Sequence, residues 1–508
     1  MPAFFSAGDW LIIVAYLVGI IALGVWFGKD QRNTRDYFLG SKNIPWWGIG
    51  LSIVAAETSA LTIIGVPGRA YGDDLTLIQV IIGYVIARIF LAVIMVPHYL
   101  RGEIYSPYQL LANKFGASAR QTAGGFFLLS ETLAAGVRVY VVSIPIQLML
   151  GVNVFTAIVL FVALSLVYTY IGGVKAVIWT DAVQFGLFLA GGIFTLFYIP
   201  SLLPGGASTL WREAAAGEKL RWLNTQFTLG APINLWMGII GGTVMVMSSH
   251  GAEQLIVQRV LACKNVSDGR KALALSAALV FPLFLIFLLV GAMLWVFYQH
   301  ASLGIPIPEQ RGGMKANDFI FPIFMLTEVP HLLKGFLIVA ILSAAMSSVS
   351  SALTSLASVS TMDFVKHFAP RRSDEFFLRF SKISTIAWAA LLVGVAYLSR
   401  EVRFVYDAAF SLRGLTSGAL LGGVMLAVFW KQRRAFPVIS GMLAALIVMT
   451  GIEVLPKWSA TSAWWKQTIG GEIFWPWYTL LGTIVMLGVT WVVSFFPGAK
   501  AGSSTQAS

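Results

Sequence analysis

Apolar runs of about twenty residues recur along this chain from its first residues almost to its last. A run of that length, wound as a helix, crosses a hydrocarbon core of roughly 30 Å. Inside a bilayer no water is available to satisfy backbone N–H and C=O groups, so only helices and closed barrels can span it. Barrel strands would show alternating segments of about ten residues, whereas these runs are continuous. The expected fold class is therefore an all-α polytopic membrane protein. Thirteen spans can be marked, near residues 9–28, 46–71, 75–99, 119–149, 153–171, 178–199, 231–258, 270–298, 333–365, 374–399, 404–430, 434–454 and 473–496. Composition agrees: 11% of residues are charged, against about 25% in soluble domains.

The net charge of +12 would suit a nucleic-acid partner if it were clustered. Instead it follows alternate loops: Lys29, Arg32, Arg35 and Lys42; Arg101, Lys114 and Arg120; Lys175; Arg259, Lys264, Arg270 and Lys271; Arg371, Arg372, Arg379 and Lys382; Lys431, Arg433 and Arg434. Intervening loops are nearly uncharged or mixed, as in Arg212, Glu213, Glu218 and Lys219. This is the positive-inside pattern of a plasma-membrane protein, with the N-terminus outside and the C-terminus cytoplasmic. The first run, residues 10–27, lacks a basic leader and a small-residue cleavage site, so it reads as a retained span. Cys263 is the single cysteine, which removes disulfide frameworks and thiolate metal clusters. The longest loops, near 200–230 and 299–333, hold no soluble domain, and the tail "AGSSTQAS" reads as disordered.

Ionisable side chains at membrane depth cost roughly 2.5–3.5 kcal/mol each on insertion scales, so each one needs a reason. Glu57, Arg88, Glu131, Arg138, Asp181, Glu253 and Arg413 fall there. Internal ion pairs are the plain explanation, and solute or ion binding is the other. Two of these residues lie in polar interruptions of otherwise apolar spans, "AAETSALT" at 55–62 and "SSHGAEQ" at 248–254. The interruptions are five spans apart and are entered from opposite sides of the membrane. Paired breaks at matching positions point to an inverted-repeat transporter with its site at the breaks.

The run "SAAMSSVSSALTS" at 343–355 carries six serines and a threonine. Ala344, Ser347, Ser348 and Ser351 fall at i, i+3, i+4 and i+7, one face of a helix. Small-residue packing between helices explains such a stripe. So does a cation site, because a hard cation wants several oxygens. Hydroxyls supply part of that shell, and a broken partner helix supplies freed carbonyls. "GGVKAVIWTDAVQ" at 172–184 sets Asp181 just inside a span after a glycine turn. There it serves either as a helix cap or as the negative charge of a second cation site.

At these residues the chain resembles the sodium/solute symporter family, through "ETSALTIIGVPGRAY", "GGVKAVIWTDAVQ", "GAEQLIVQRVLACK" and "SAAMSSVSSALTS" followed by "TMDF". In its site residues it is most similar to the bacterial sialic acid symporters of that family. The resemblance covers about residues 8–430. It implies the leucine-transporter fold: a leading helix and loop over 1–45, inverted five-helix repeats over 46–199 and 231–430, trailing helices over 431–496, and a tail at 497–508. It further implies a sodium site from backbone oxygens of Ala55, Thr58 and Ala344 with the hydroxyls of Ser347 and Ser348. A second sodium site would use Asp181, Ser347, Ser350 and Ser351. Ser59, Thr62, Gln79 and Arg138 would bind the solute, the arginine holding a carboxylate in its planar fork. Arg138 pairing instead with Glu131 or Glu57 is the competing assignment.

The expected function is sodium-driven symport of a small polar solute, an organic anion such as a sialic acid-like carboxylate, by alternating access. A neutral sugar, inositol or amino acid is the alternative solute, and a sensor or channel is the rival class. No nucleophile–base pair or phosphate loop suggests an enzyme. The implied partners are sodium ions, the solute and the lipid bilayer, with no nucleic acid and no obligatory protein partner.

Overall fold

The computed structural model describes residues 5–29, 33–59, 61–101, 104–307, 317–401 and 405–496. The tail expected to be disordered, and part of the loop before residue 317, lie outside the described residues. The described chain is helical, and its span-forming elements in order are α1 (Ala7–Gly28), α2 (Trp46–Glu57), α3 (Val66–Gly72), α4 (Ile78–Leu100), α5 (Ala117–Leu150), α6 (Val154–Ile171) and α7 (Gly173–Ser201). They continue with α8 (Thr243–Gly251), α9 (Gln254–Leu261), α10 (Val266–His300), α11 (Leu333–Val359), α12 (Asp374–Leu398), α13 (Val405–Phe429), α14 (Ala435–Val454) and α15 (Tyr478–Ser494). Eleven helices are long and apolar enough to cross a membrane, and α2 with Leu61–Gly72 forms a twelfth span bent by 58°. The thirteenth expected span, 231–258, is split into α8 and α9, neither of which is long enough alone.

Local chemistry sets the ends of these helices. Ser6 opens α1 with a reciprocal cap: its Oγ accepts from Asp9 N (3.2 Å), and Asp9 Oδ2 accepts from Ser6 N (2.8 Å). The other carboxylate oxygen of Asp9 accepts from Leu332 N (2.8 Å) and Gly335 N (3.0 Å), which docks α1 on the start of α11. Asn153, Asn265 and Ser373 cap α6, α10 and α12 in the same manner. Between α6 and α7 the chain reverses at Gly173, whose φ of 53° and ψ of −158° suit glycine alone.

Almost every side chain of α11 is buried, so this helix is the axis of the molecule. It packs against α7, α5, α1, α12 and α2. Around that axis the outer helices turn large apolar side chains outward, among them Leu11, Phe197, Leu398 and Ile447. Exposed leucines at this density belong to a lipid-facing surface rather than a wetted one.

Candidate cation and solute sites

Both sequence interruptions are real helix breaks. In the first, α2 leaves helical dihedrals at Thr58 (φ −79°, ψ 98°), after Thr58 N donates to Val54 O at 2.8 Å. The carbonyls of Ala55 and Glu57 thereby lose their i+4 donors. The chain resumes as a π turn, Leu61–Gly65, before α3. In the second, α8 ends at Gly251, Ala252 and Glu253 are non-helical (Glu253 φ −104°, ψ 136°), and α9 begins at Gln254.

The serine-rich face of α11 packs against α2 and the π turn that follows it. Ala55, Thr58 and Ala344 are fully buried, and Thr58 Oγ1 finds no hydrogen-bond partner among the described residues. Ser348 Oγ donates to Ala344 O (3.0 Å), Ser350 Oγ to Ser347 O (3.0 Å) and Ser351 Oγ to Ser347 O (2.6 Å). Each hydroxyl donor is thus tied to the helix backbone, which leaves the oxygen lone pairs to accept; Ser351 Oγ already accepts from Arg259. An all-oxygen set with freed carbonyls and an unpartnered buried hydroxyl fits a hard monovalent cation. Among the described residues no three His, Cys, Asp or Glu converge as a metal cluster.

Asp181 is fully buried on α7 and caps nothing. Its Oδ1 accepts from Ser347 Oγ (2.6 Å), and its Oδ2 accepts from Ser52 Oγ (2.6 Å) and Arg259 Nη2 (2.9 Å). Arg259 also donates to Ser52 Oγ (2.8 Å), to Ser351 Oγ and to Leu255 O. Sequence reading had Arg259 among the loop charges that set topology. It is buried instead, and it neutralises the aspartate expected at the second cation site. The missed signal was its place in α9, four residues after Leu255, on a helix whose residues are all buried.

One cavity collects most of the remaining membrane charges. Its wall includes Glu57, Ser59 and Thr62 from the first break, Ser249, His250 and Glu253 from the second, Arg138 from α5, and Arg413 from α13. Of the four side chains expected at the solute, three share this wall. Gln79 does not: its Nε2 donates to Thr76 O (3.2 Å) and its Oε1 accepts from Asn224 N (3.1 Å), which ties it to the loops above. Arg138 Nη1 donates to Glu131 Oε1 at 3.2 Å, while Glu131 Oε2 has no partner. Arg88 pairs with Glu57 and lies 3.1 Å from His250 Nε2. Arg413 Nε donates to Glu253 Oε2 at 2.7 Å. His250 is buried in this network, and its single imidazole within "SSHGAEQ" was the unread signal.

Two helices broken beside one charge-lined cavity, with a buried serine-rich helix packed on the first break, are the arrangement of an ion-coupled secondary transporter. The model of the sodium:solute symporter family matches residues 37–447, and this chain belongs to that family. Relatives include the sodium/sialic acid symporter SiaT of Proteus mirabilis, 29% identical over 87% of this chain and 88% of its own. The sodium/sialic acid symporter NanT of Aliivibrio fischeri is 26% identical over 96% and 93%. Among solved structures, the substrate-bound outward-open state of a Na+-coupled sialic acid symporter is 25% identical, with a TM-score of 0.83 over 98% of this chain and 99% of the other. The nucleobase-cation symporter Mhp1, 15% identical with a TM-score of 0.53 over 90% and 95%, shares the fold. The expected all-helical transporter fold therefore stands, as do sodium-coupled symport and a non-enzymatic role.

Proposed function

We propose that this symporter imports an organic anion of the sialic acid type, with its carboxylate held by Arg138 and assisted by Ser59 and Thr62. The supporting observation is the position of Arg138. It lines the cavity with both hydroxyl residues, and one of its N–H groups is committed to Glu131. A guanidinium carries five N–H donors, so a carboxylate can dock on the remaining fork without expelling Glu131. Desolvated in the cavity, that charge-assisted contact is worth far more than in water. Sodium at the oxygens of Ala55, Thr58, Ala344, Ser347 and Ser348 would join the first break to α11 and so favour one arrangement of the two. A second ion at Asp181, Ser347, Ser350 and Ser351 would have to share the carboxylate with Arg259. The alternation of basic loops supports an N-terminus outside, and the sodium gradient would drive the solute inward.

The Glu131 contact also favours a second reading, in which Arg138 is a fixed structural charge and the solute is a neutral sugar, inositol or amino acid. Binding of N-acetylneuraminate and of neutral sugars to the purified protein, with and without sodium, separates the two. Sodium-dependent binding of the acid alone supports the anion, whereas sodium-dependent binding of a neutral solute alone overturns it.

A further inference from the structure

One buried cation beside the cavity plays no part in the proposed solute contacts. Arg88, on α4, is fully buried and stands between the two helix breaks. Its Nη2 donates to Glu57 at the first break and lies 3.1 Å from His250 Nε2 at the second. Its Nη1 donates to Tyr84 O at 3.3 Å, one turn back on its own helix. A guanidinium has donors only, so His250 Nε2 must be the acceptor. The imidazole proton then sits on Nδ1, 2.8 Å from Ser249 Oγ. His250 is thus held neutral, although its Nε2 lies only 3.8 Å from the Glu57 carboxylate.

We propose that Arg88 is a positioning residue that joins the two breaks in the place a proton would otherwise occupy, so that sodium binding is not linked to a proton there. This rests on the reading of the first break as part of the sodium site. The other charged side chains near His250 are already committed. Glu253, at its own break, is held by Arg413 of α13, and Arg259 of α9 is turned to Asp181. The helix α15, which also packs on α8, carries no charged residue. Glu57 is left with Arg88 as its partner, and Glu57 belongs to the break that offers the oxygens of Ala55 and Thr58. Without Arg88 a carboxylate would be stranded inside the protein, and the cation nearest to hand is a protonated His250. A histidine–carboxylate pair would make the junction depend on pH in the physiological range. A guanidinium, charged throughout that range, does not.

The test is the sodium concentration that gives half of the maximal thermal stabilisation of the purified protein, measured at about pH 5.5 and about pH 8, between which histidine changes charge. In Arg88→Met the ratio of the high-pH value to the low-pH value should exceed the wild-type ratio by at least about threefold, because acid lets His250 take the place of Arg88. In Arg88→Met with His250→Gln the ratio should return to that of the wild type. His250→Gln alone should keep the wild-type ratio within about twofold, whatever it does to the absolute values. An Arg88→Met profile no steeper than the wild type would overturn the proposal, and so would a steep one that survives the loss of His250. If Arg88→Met does not fold, His250→Gln decides: a ratio that moves shows that His250 already titrates beside Arg88, and the proposal falls. If sodium does not stabilise the wild type, the sodium site at the first break falls instead. Unfolding temperatures of the same variants are then compared at the two pH values, where the deficit of Arg88→Met should shrink in acid only while His250 is present.

Discussion

Arg138 and Ser347 show how a single side chain can be committed to the fold and still be available to a ligand. Arg138 gives one N–H to Glu131, and Ser347 gives its proton to Asp181. In each case the chemistry a ligand needs is left over: guanidinium donors in the first, oxygen lone pairs in the second. Replacing Arg138 with Ala should weaken an anionic solute by at least about thirtyfold, since a desolvated carboxylate loses its partner at a cost of roughly 2–5 kcal/mol. Arg138→Lys should recover part of this, keeping charge without the fork. Titration calorimetry on folded variants checks both. Ser347→Ala with Ser348→Ala should raise the sodium concentration for half-maximal uptake by roughly a hundredfold or more, two hydroxyl ligands being lost at about 1.5 kcal/mol or more each. An unchanged sodium dependence would return these serines to plain packing. Cys263 is buried, and burial pushes its thiol up from its ordinary range. It should resist maleimide in the folded protein at neutral pH, which mass spectrometry would show, and should react once the protein is denatured.

These residues were legible because a charge or a hydroxyl stripe inside an apolar run is anomalous on its face. Arg259 was not, because a basic residue near the end of a span looks like a loop charge until its partner is seen. Arg120, near the start of α5, is partly exposed but paired as well: it donates to Asp363 and to Met362 O, at the far end of the α11 span.

At the scale of elements, the two broken helices were readable from polar interruptions, but the residues at which they break were not. The break of α2 falls at Thr58 and that of α8 at Ala252 and Glu253, because unsatisfied backbone there is sheltered by neighbours that the sequence does not display. Tyr99 is one such neighbour at the second break, its hydroxyl donating to Gly251 O, and Lys219 serves another helix end. It donates to the carbonyls of Tyr71 (2.9 Å), Gly72 (3.2 Å) and Asp73 (2.7 Å), closing the end of α3. The Asp181–Arg259 pair ties α7 to α9 and, through Ser52 and Ser351, to α2 and α11. Asp181→Ala should therefore destabilise the fold as well as any ion site, by about 3–5 kcal/mol, because it strands a buried guanidinium. Asp181→Asn combined with Arg259→Gln should regain most of that loss in a thermal-unfolding assay. If the single Ala variant melts like the wild type, the pair is not holding these helices.

For the whole molecule, hydropathy was enough to find the helical bundle, since the bilayer leaves few alternatives. The two runs it read as interrupted, 46–71 and 231–258, are the two that are broken. The orientation rests on loop charge, and moving Arg259 into the interior thins that evidence without reversing it: Lys264, Arg270, Lys271, Arg371 and Arg372 still fall in the alternate, basic loops. Single cysteines placed at 371 and 212 in a Cys263→Ser background should label from inside and outside respectively, and the reverse pattern would invert the topology.

Coupling is the central claim, and a gradient experiment tests it most directly. Purified protein in liposomes, given an inward sodium gradient, should accumulate labelled N-acetylneuraminate above its external concentration, and should lose that accumulation when potassium replaces sodium or an ionophore dissipates the gradient. Accumulation that is the same in potassium, or uptake that never exceeds equilibration while the sodium gradient persists, would contradict sodium-coupled symport of this anion.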